Sequence, residues 1–224
     1  MPRHGRGFDT DAAFAHLGKR DRKLVAWMKK IGPIKPDPRW RKPFDPVDAL
    51  ARAILYQQLS GKAAATIVGR VEAAIDSDRF HCDTLARCDD ATIRACGVSG
   101  NKLLALRDLA LRESNGEIPD LRRMATMDND AIIAALVPVR GIGRWTVEMM
   151  LMFRLGRPDV LPVDDLGIRK GAQRVDKLDE MPTPKQLLER GEAWGPYRTY
   201  AGLYLWRIAD SVVAAKTPVK RSQS

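Results

Sequence analysis

The sequence predicts an all-α protein, because apolar residues recur at helical spacing and residues that begin or end helices stand at the breaks. Residues 45–75 keep this spacing on both sides of Ser60-Gly61, where we expect one helix to end and the serine to cap the next. No segment alternates apolar and polar residues convincingly, and no Asn-Gly turn joins two β-branched runs. These observations leave little room for a β-sheet.

The rest of the chain follows the same pattern. Ser99 is predicted to cap a helix that stops at Asn115-Gly116, and Asp128 to cap a short helix closed by Pro138. The last strong helix, "PYRTYAGLYLWRIADSVV", is predicted to open on Pro196, with Tyr200 and Leu203 in the core.

Prolines separate the N-terminal part from this helical body. Pro36, Pro38, Pro43 and Pro46 make residues 33–46 an extended connector. We therefore predict three parts: an N-terminal helical segment with its connector (1–43), a main domain (44–212) and a basic C-terminal tail (213–224).

The composition is that of a globular protein, with 45% hydrophobic and 29% charged residues. No apolar run approaches the roughly 18 residues of a membrane span, and the first residues lack the apolar core of a secretion signal. We expect an intracellular protein, cytoplasmic (at the nucleoid) or nuclear, with no membrane partner. Cys82, Cys88 and Cys96 are one short of the four thiolates of an iron–sulfur cluster, so we expect reduced thiols, no cluster and no other cofactor.

The charge favours a polyanionic partner. The formal net charge is +10, and ten basic residues between Lys19 and Lys42 are opposed only by Asp21 and Asp37. A phosphate-attracting face would explain this excess, and so would an ordinary solvated surface. Charge alone does not establish nucleic-acid binding.

The stretch "VRGIGRWTVEMM", residues 139–150, predicts a turn between two helices. Gly141 and Gly143 allow positive φ and leave room for another chain to approach. The next helix begins at Arg144, so its free N–H groups would form a small anion site beside that guanidinium. An ordinary helix–helix corner is the alternative. A dinucleotide-binding turn would need a third glycine where Thr146 stands.

Two later segments weaken the interpretation of this turn as an ordinary helix–helix corner. "DVLPVDDLGIRKG" places Asp164 and Asp165 at a predicted helix start, and "AWGPYRTYAGLYLW" is rich in aromatic residues. Each has a structural explanation, in capping and in core packing. Together they place a phosphate-binding turn, a carboxylate and an aromatic wall in order along the chain.

These segments, with "AILYQQLSGKAAATIVGRV", resemble the 3-methyladenine DNA glycosylase II family of the helix-hairpin-helix (HhH-GPD) superfamily, over about residues 44–212. The resemblance implies a two-lobed all-α fold with the active site in the cleft between the lobes. It implies a DNA glycosylase that flips a base out of the duplex and hydrolyses its N-glycosidic bond. The substrate would be alkylated, 3-methyladenine-type bases, and the reaction would initiate base excision repair.

The family's catalytic aspartate matches Asp165, which keeps the spacing to Ile168, and Asp164 is then expected to be the cap or a structural partner. A carboxylate suits this chemistry because bond cleavage builds positive charge on the sugar, and it can also orient the attacking water. The resemblance places further residues in the base pocket: Trp145, Trp206, Met149, Leu166 and Tyr204. Met149 and Leu166 stand where known relatives have aromatic residues, which leaves the substrate range open.

Superfamily branches that also cut the DNA backbone have a lysine where this chain has Trp145. Arg144 cannot replace that amine because it stays protonated. We therefore predict a monofunctional enzyme without lyase activity.

The resemblance also assigns DNA contacts, and a monomer acting on damaged double-stranded DNA is expected. The residues expected to bind DNA are Gly141, Gly143, Arg144 and Thr146 in the hairpin, and Gln58 and Leu59 at the bend that fills the gap left by the base. Gln57 or Gln58 could instead satisfy backbone groups at a bend. Arg140 replaces the hairpin's usual proline. The backbone carbonyls of Val137, Val139 and Ile142 would hold a Na⁺ or K⁺ ion.

Two other functions remain open at this point. One is a non-enzymatic helix-hairpin-helix module that grips DNA for a partner, which would have no need of Asp165 with Trp145 and Trp206. The other is a glycosylase for oxidised, deaminated or mismatched bases.

Overall fold

A computed structural model describes residues 5–216, with the backbone alone at 212–216, and every regular element in that range is helical. The α-helices are α1 (Thr10–Arg20), α2 (Arg22–Ile31), α3 (Pro46–Tyr56), α4 (Gly61–Ile75), α5 (Cys82–Leu85), α6 (Asp90–Ala95), α7 (Gly100–Ser114), α8 (Leu121–Met124), α9 (Asn129–Leu136), α10 (Arg144–Phe153), α11 (Leu166–Asp176), α12 (Pro184–Gly191) and α13 (Arg198–Lys216). Two 3₁₀ helices cover Pro38–Arg41 and Glu192–Trp194. The all-α prediction is confirmed. None of the helices in the described range is both long and apolar enough to cross a membrane.

Side-chain caps decide where most of these helices begin. The predicted caps are confirmed: Ser60 accepts the N–H of Ala63, Ser99 begins α7 and Asp128 begins α9. Such a cap contributes about 1 kcal/mol to helix stability. The helix boundaries around the central turn are therefore set locally.

The last helix differs from the prediction at both ends. It begins at Arg198 rather than Pro196, because the Asp159 carboxylate accepts the Arg198 backbone N–H (3.3 Å) and binds its guanidinium (2.9 Å). Its backbone continues to Lys216, beyond the predicted boundary at 212. Residues 217–224 of the predicted tail lie outside the described residues. Tyr200 is buried as predicted, whereas Leu203 is only half-buried.

The chain divides into two compact units. The hairpin unit is Lys42–Val147, and the carboxylate unit is Arg6–Arg41 together with residues 148–216. Helices α1 and α2 belong to the carboxylate unit because they pack against α13 there. The division falls inside α10, so one helix contributes to both units.

The core of the hairpin unit is built on α7. Helix α3 packs against α4 and α7, and the short α5 packs against α7. Leu50, Ile54, Leu106 and Leu109 are fully buried there. This packing fixes the end of α3, from which the predicted DNA-contacting bend departs.

In the carboxylate unit, α13 packs against α1, α2 and α11. The proline-rich connector also contributes to this unit's core, and its residues Pro38–Arg41 form a 3₁₀ helix within the otherwise extended segment that was predicted. Trp40 is buried, and its indole donates to the Met152 carbonyl at 2.7 Å. Ile34 exchanges two hydrogen bonds with the buried Tyr200 hydroxyl, at 3.1 and 3.0 Å. These bonds hold the connector against the core. They also pair buried polar groups that would otherwise have no hydrogen-bond partner.

Candidate active site and DNA-binding hairpin

The turn between α9 and α10 is held by its apolar residues and exposes its glycines. Val139 and Ile142 are 1% and 3% exposed, and the Ile142 N–H donates to the Val139 carbonyl at 3.0 Å. Gly141 and Gly143 alternate with these residues and are exposed. The backbone around the glycines is therefore exposed to solvent, while the neighbouring Val139 and Ile142 side chains are buried.

Only one of the two glycines needs a special conformation. Gly141 has φ +78°, in the left-handed region that favours glycine. Gly143 does not, so of the two glycines only Gly141 uses the positive φ that both allow. Its carbonyl accepts the N–H groups of Thr146 and Val147, so it belongs to the first turn of α10. A Cβ at Gly143 would still meet no atom within 4 Å, so its surface is open to a ligand.

Two polar side chains tether this turn to neighbouring helices. The Gln57 amide at the end of α3 donates to the Gly141 carbonyl at 2.8 Å, so Gln57 does satisfy a backbone group. The Arg140 backbone N–H donates to the Asp108 carboxylate of α7 at 2.7 Å. Proline has no N–H, so the second bond is possible only because Arg140 replaces the family's usual proline.

The bend after α3 carries the two residues predicted to fill the gap in the DNA. Gln58 has φ +56°, a conformation that costs a non-glycine residue about 1–2 kcal/mol. Leu59 is 39% exposed. Strained backbone of this kind clusters at functional sites, which is consistent with the predicted DNA contact at this bend. The Gln57 tether places this bend beside the hairpin in the same unit.

The first turn of α10 exposes the other hairpin residues. Trp145 is 50% exposed, which argues against the alternative that it is a core tryptophan. Arg144 is exposed, with its guanidinium 3.8 Å from the Asp130 carboxylate, a separation at which a surface ion pair stabilises little. Thr146 is half-buried.

Asp165 lies at the start of α11 in the carboxylate unit and is half-buried. Its Oδ1 accepts the Ile168 backbone N–H and the Trp206 indole N–H, each at 2.8 Å. The expectation that Asp164 is the cap is wrong: α11 begins one residue later than that would require, so Asp165 caps the helix and Asp164 is exposed.

Two further residues restrict the position of Trp206. Its ring stacks on Phe153 of α10, with centroids 5.8 Å apart and planes 22° apart. A Cβ on Gly167 would come within 2.7 Å of the indole Cδ1. Sequence reasoning missed both Phe153 and Gly167, although the spacing of Gly167 and Gly171, one helical turn apart, was a signal that two helices pack closely.

The remaining predicted pocket residues differ in how exposed they are. Leu166 is 57% exposed and Met149 is half-buried, so both retain surface. Tyr204 is fully buried, and its hydroxyl donates to the Gly32 carbonyl at 2.9 Å. Burial raises the pKa of Tyr204 well above its usual value. Tyr204 therefore belongs to the core rather than to a pocket wall, which corrects that prediction.

Known proteins are similar to this chain in sequence and fold. The family model described as HhH-GPD superfamily base excision DNA repair protein matches residues 51–196. DNA-3-methyladenine glycosylase 1 of Schizosaccharomyces pombe is 36% identical over 195 residues, which cover 87% of this chain and 85% of that protein.

Two solved structures extend the similarity. A 3-methyladenine DNA glycosylase of Schizosaccharomyces pombe, in complex with abasic DNA, has a TM-score of 0.76 and 35% identity over 92% of this chain and 100% of that chain. A DNA-3-methyladenine glycosidase of Bacillus halodurans has a TM-score of 0.81 and 33% identity, over 96% and 95% of the two chains. The chain belongs to the HhH-GPD superfamily of base excision DNA repair proteins.

Proposed function

We propose that the protein is a monofunctional DNA glycosylase that excises alkylated, 3-methyladenine-type bases from double-stranded DNA and so initiates base excision repair. The observation that carries the proposal is the Asp165 carboxylate, held at a helix start by a backbone N–H and an indole N–H. The relatives named above, DNA-3-methyladenine glycosylases, support the substrate class.

Asp165 supplies the charge that the reaction needs. Cleavage of the bond between sugar and base develops positive charge on the sugar ring, and a nearby fixed carboxylate stabilises it. The same carboxylate can orient the attacking water. An alkylated purine is already cationic, so it leaves without a strong general acid.

Exposed aromatic surface suits that cationic base. Trp145 offers a half-exposed ring, and a cation over such a face gains about 0.5–2 kcal/mol. Because Trp145 stands where lyase branches of the superfamily have lysine, no amine is available there for a Schiff base. The product is then an intact abasic strand.

The hairpin unit supplies the grip on DNA. The backbone N–H groups at Gly141 and Gly143, with the side chains of Arg144 and Thr146, bind phosphates at a helix start. Leu59, with Gln58, fills the gap in the stack.

A Na⁺ or K⁺ ion on the carbonyls of Val137, Val139 and Ile142 would add to this grip by attracting phosphate. The Val139 carbonyl accepts one hydrogen bond, from the Ile142 N–H, and a carbonyl oxygen has a second lone pair for a cation. We propose no other cofactor, and a monomer that works on intracellular DNA.

A panel of single-lesion duplexes tests the proposal. Alkylated, oxidised, deaminated and mismatched bases are compared, and released free base and strand cleavage are both measured. We expect free alkylated base, with strand breaks only after alkali treatment. Binding without release of any base would favour a non-enzymatic module. Release of only oxidised or deaminated bases would mean that these, and not alkylated bases, are the substrates. Nicking without alkali would contradict a monofunctional enzyme.

A further inference from the structure

Helices α11 and α13 pack with their backbones in contact. A Cβ on Gly171 would lie 2.6 Å from the carbonyl carbon of Leu205, the residue before Trp206. No side chain larger than hydrogen fits between the helices at that point. Gly171 therefore sets the distance at which Trp206 faces α11.

One turn earlier, Gly167 leaves room for the indole itself. A Cβ there would lie 2.7 Å from the Trp206 Cδ1 and 3.1 Å from both the indole Nε1 and the Asp165 Oδ1. Neither Gly167 nor Gly171 has positive φ, so conformational freedom does not explain these two glycines. Space explains them both.

Phe153 of α10 also contacts the indole, through its ring face. The two rings stack at 5.8 Å, and the Arg39 guanidinium lies 4.7 Å from the Phe153 ring centroid. The indole thus contacts both Phe153 and the start of α11, with its N–H directed at Asp165.

We propose that Trp206 is a positioning residue for Asp165, and that Gly167 and Gly171 are the packing feature that brings the two together. The Ile168 N–H caps the helix through Oδ1 of Asp165. A second donor on the same oxygen, from another helix, further restrains the orientation of the carboxylate. This inference rests on the proposed function and adds to the pocket-wall role expected of Trp206.

Two variants separate positioning from stacking. Trp206→Phe keeps an aromatic ring and removes the N–H, whereas Gly167→Ala keeps Trp206 and displaces its indole. Gly202→Ala on α13 is the matched control, because its added Cβ would meet Ile168 at an ordinary 3.5 Å. We measure single-turnover excision and, separately, affinity for DNA with an abasic site.

We expect Trp206→Phe and Gly167→Ala to slow excision by about ten-fold or more, since a hydrogen bond to a charged group is lost. Affinity should stay within about two-fold, and Gly202→Ala should match the wild type. If Trp206→Phe keeps the wild-type rate, or loses only affinity, the positioning role is overturned.

A spectroscopic measurement reads the contact without activity. The indole ¹H–¹⁵N resonance of Trp206 is identified by its absence from the Trp206→Phe spectrum. It should shift in Asp165→Ala and in Gly167→Ala but not in Gly202→Ala, and an unshifted resonance in the first two would contradict the proposal. A wild-type protein that releases no alkylated base would overturn the proposed function instead, while this resonance would still report the contact.

Discussion

The two units prepare a ligand-binding surface in opposite ways. In the hairpin unit the proposed DNA-binding atoms are exposed backbone groups, and buried Val139 and Ile142 hold them in place. In the carboxylate unit the proposed catalytic oxygen belongs to the Asp165 side chain, which accepts a hydrogen bond from a second side chain, Trp206. A backbone surface tolerates varied side chains but is sensitive to conformation, whereas a side-chain site is sensitive to a single atom. Damage to the two units should therefore affect DNA affinity and excision rate separately.

The largest separation is expected from Asp165→Asn. Asparagine caps helices about as well as aspartate, so the variant should fold and bind DNA normally. Loss of the charge should lower the single-turnover excision rate on the order of 10²–10⁴-fold. Asp164→Asn, one residue earlier and exposed, is the control and should behave as the wild type. If the Asp165→Asn variant excised bases at the wild-type rate, Asp165 would not be the catalytic carboxylate.

The corresponding test of the hairpin unit compares its two glycines. Gly141→Ala places a side chain at φ +78° and should lower the free energy of unfolding by about 1–2 kcal/mol. Gly143→Ala should leave stability unchanged, because its Cβ enters open space, and should instead weaken DNA binding by blocking the approach of a phosphate. Denaturant titration and DNA affinity measure the two effects. Equal losses of stability in both variants would contradict the assignment of the open surface to Gly143.

How much of the fold and of the candidate site could be predicted from the sequence depended on the separation along the chain between residues that contact each other. Helical spacing and caps act over a few residues, so Ser60, Ser99 and Asp128 were predicted correctly. The bond from Trp206 to Asp165 joins residues 41 positions apart, and the bond from Arg140 to Asp108 spans 32, which no local pattern reveals.

Helix faces and helix registers were harder still. Tyr204 and Trp206 stand two residues apart on α13, yet one lies in the core and the other at the site. Aromatic residues on both faces of α13 hide this difference in the sequence. That Asp165 rather than Asp164 caps α11 depended on a shift of one residue at the start of the helix.

The Arg140–Asp108 bond gives a smaller effect. Asp108→Ala should lower the free energy of unfolding by about 1 kcal/mol, because the Arg140 N–H then loses its carboxylate. In an Arg140→Pro background, which has no N–H to donate, Asp108→Ala should cost less. The double-mutant cycle should give a coupling of about 0.5–1.5 kcal/mol. Additive losses would mean that Asp108 acts through Arg112, its other partner at 3.0 Å.

The two units should also differ in how pH affects their stability. In the hairpin unit, burial alone would lower the pKa of His81, but its hydrogen bond to Glu113 and the charges of Asp45, Glu113 and Asp83 raise it above 6.5. In the carboxylate unit, burial alone would raise the pKa of Asp21, but the Leu24 N–H, the Trp194 indole and Arg190 lower it below 3.8. The stabilisation from His81 is thus fully present below pH 6.5 and lost as pH rises through the folded-state pKa. That from Asp21 is present above pH 3.8 and lost as pH falls through its folded-state pKa.

The smallest predicted effect is the alkaline loss, about 1 kcal/mol or less because the His81 side chain is partly exposed. Glu113→Gln removes the charge that faces His81 while keeping an amide that can bond to it, so this variant should reduce the fall in unfolding free energy above pH 6.5. Asp21→Asn keeps a capping side chain and should leave that fall unchanged while reducing the loss at acid pH. Denaturant titrations across pH measure both slopes. If Asp21→Asn altered the slope above pH 6.5 as much as Glu113→Gln does, the alkaline loss would not belong to His81 and the hairpin unit.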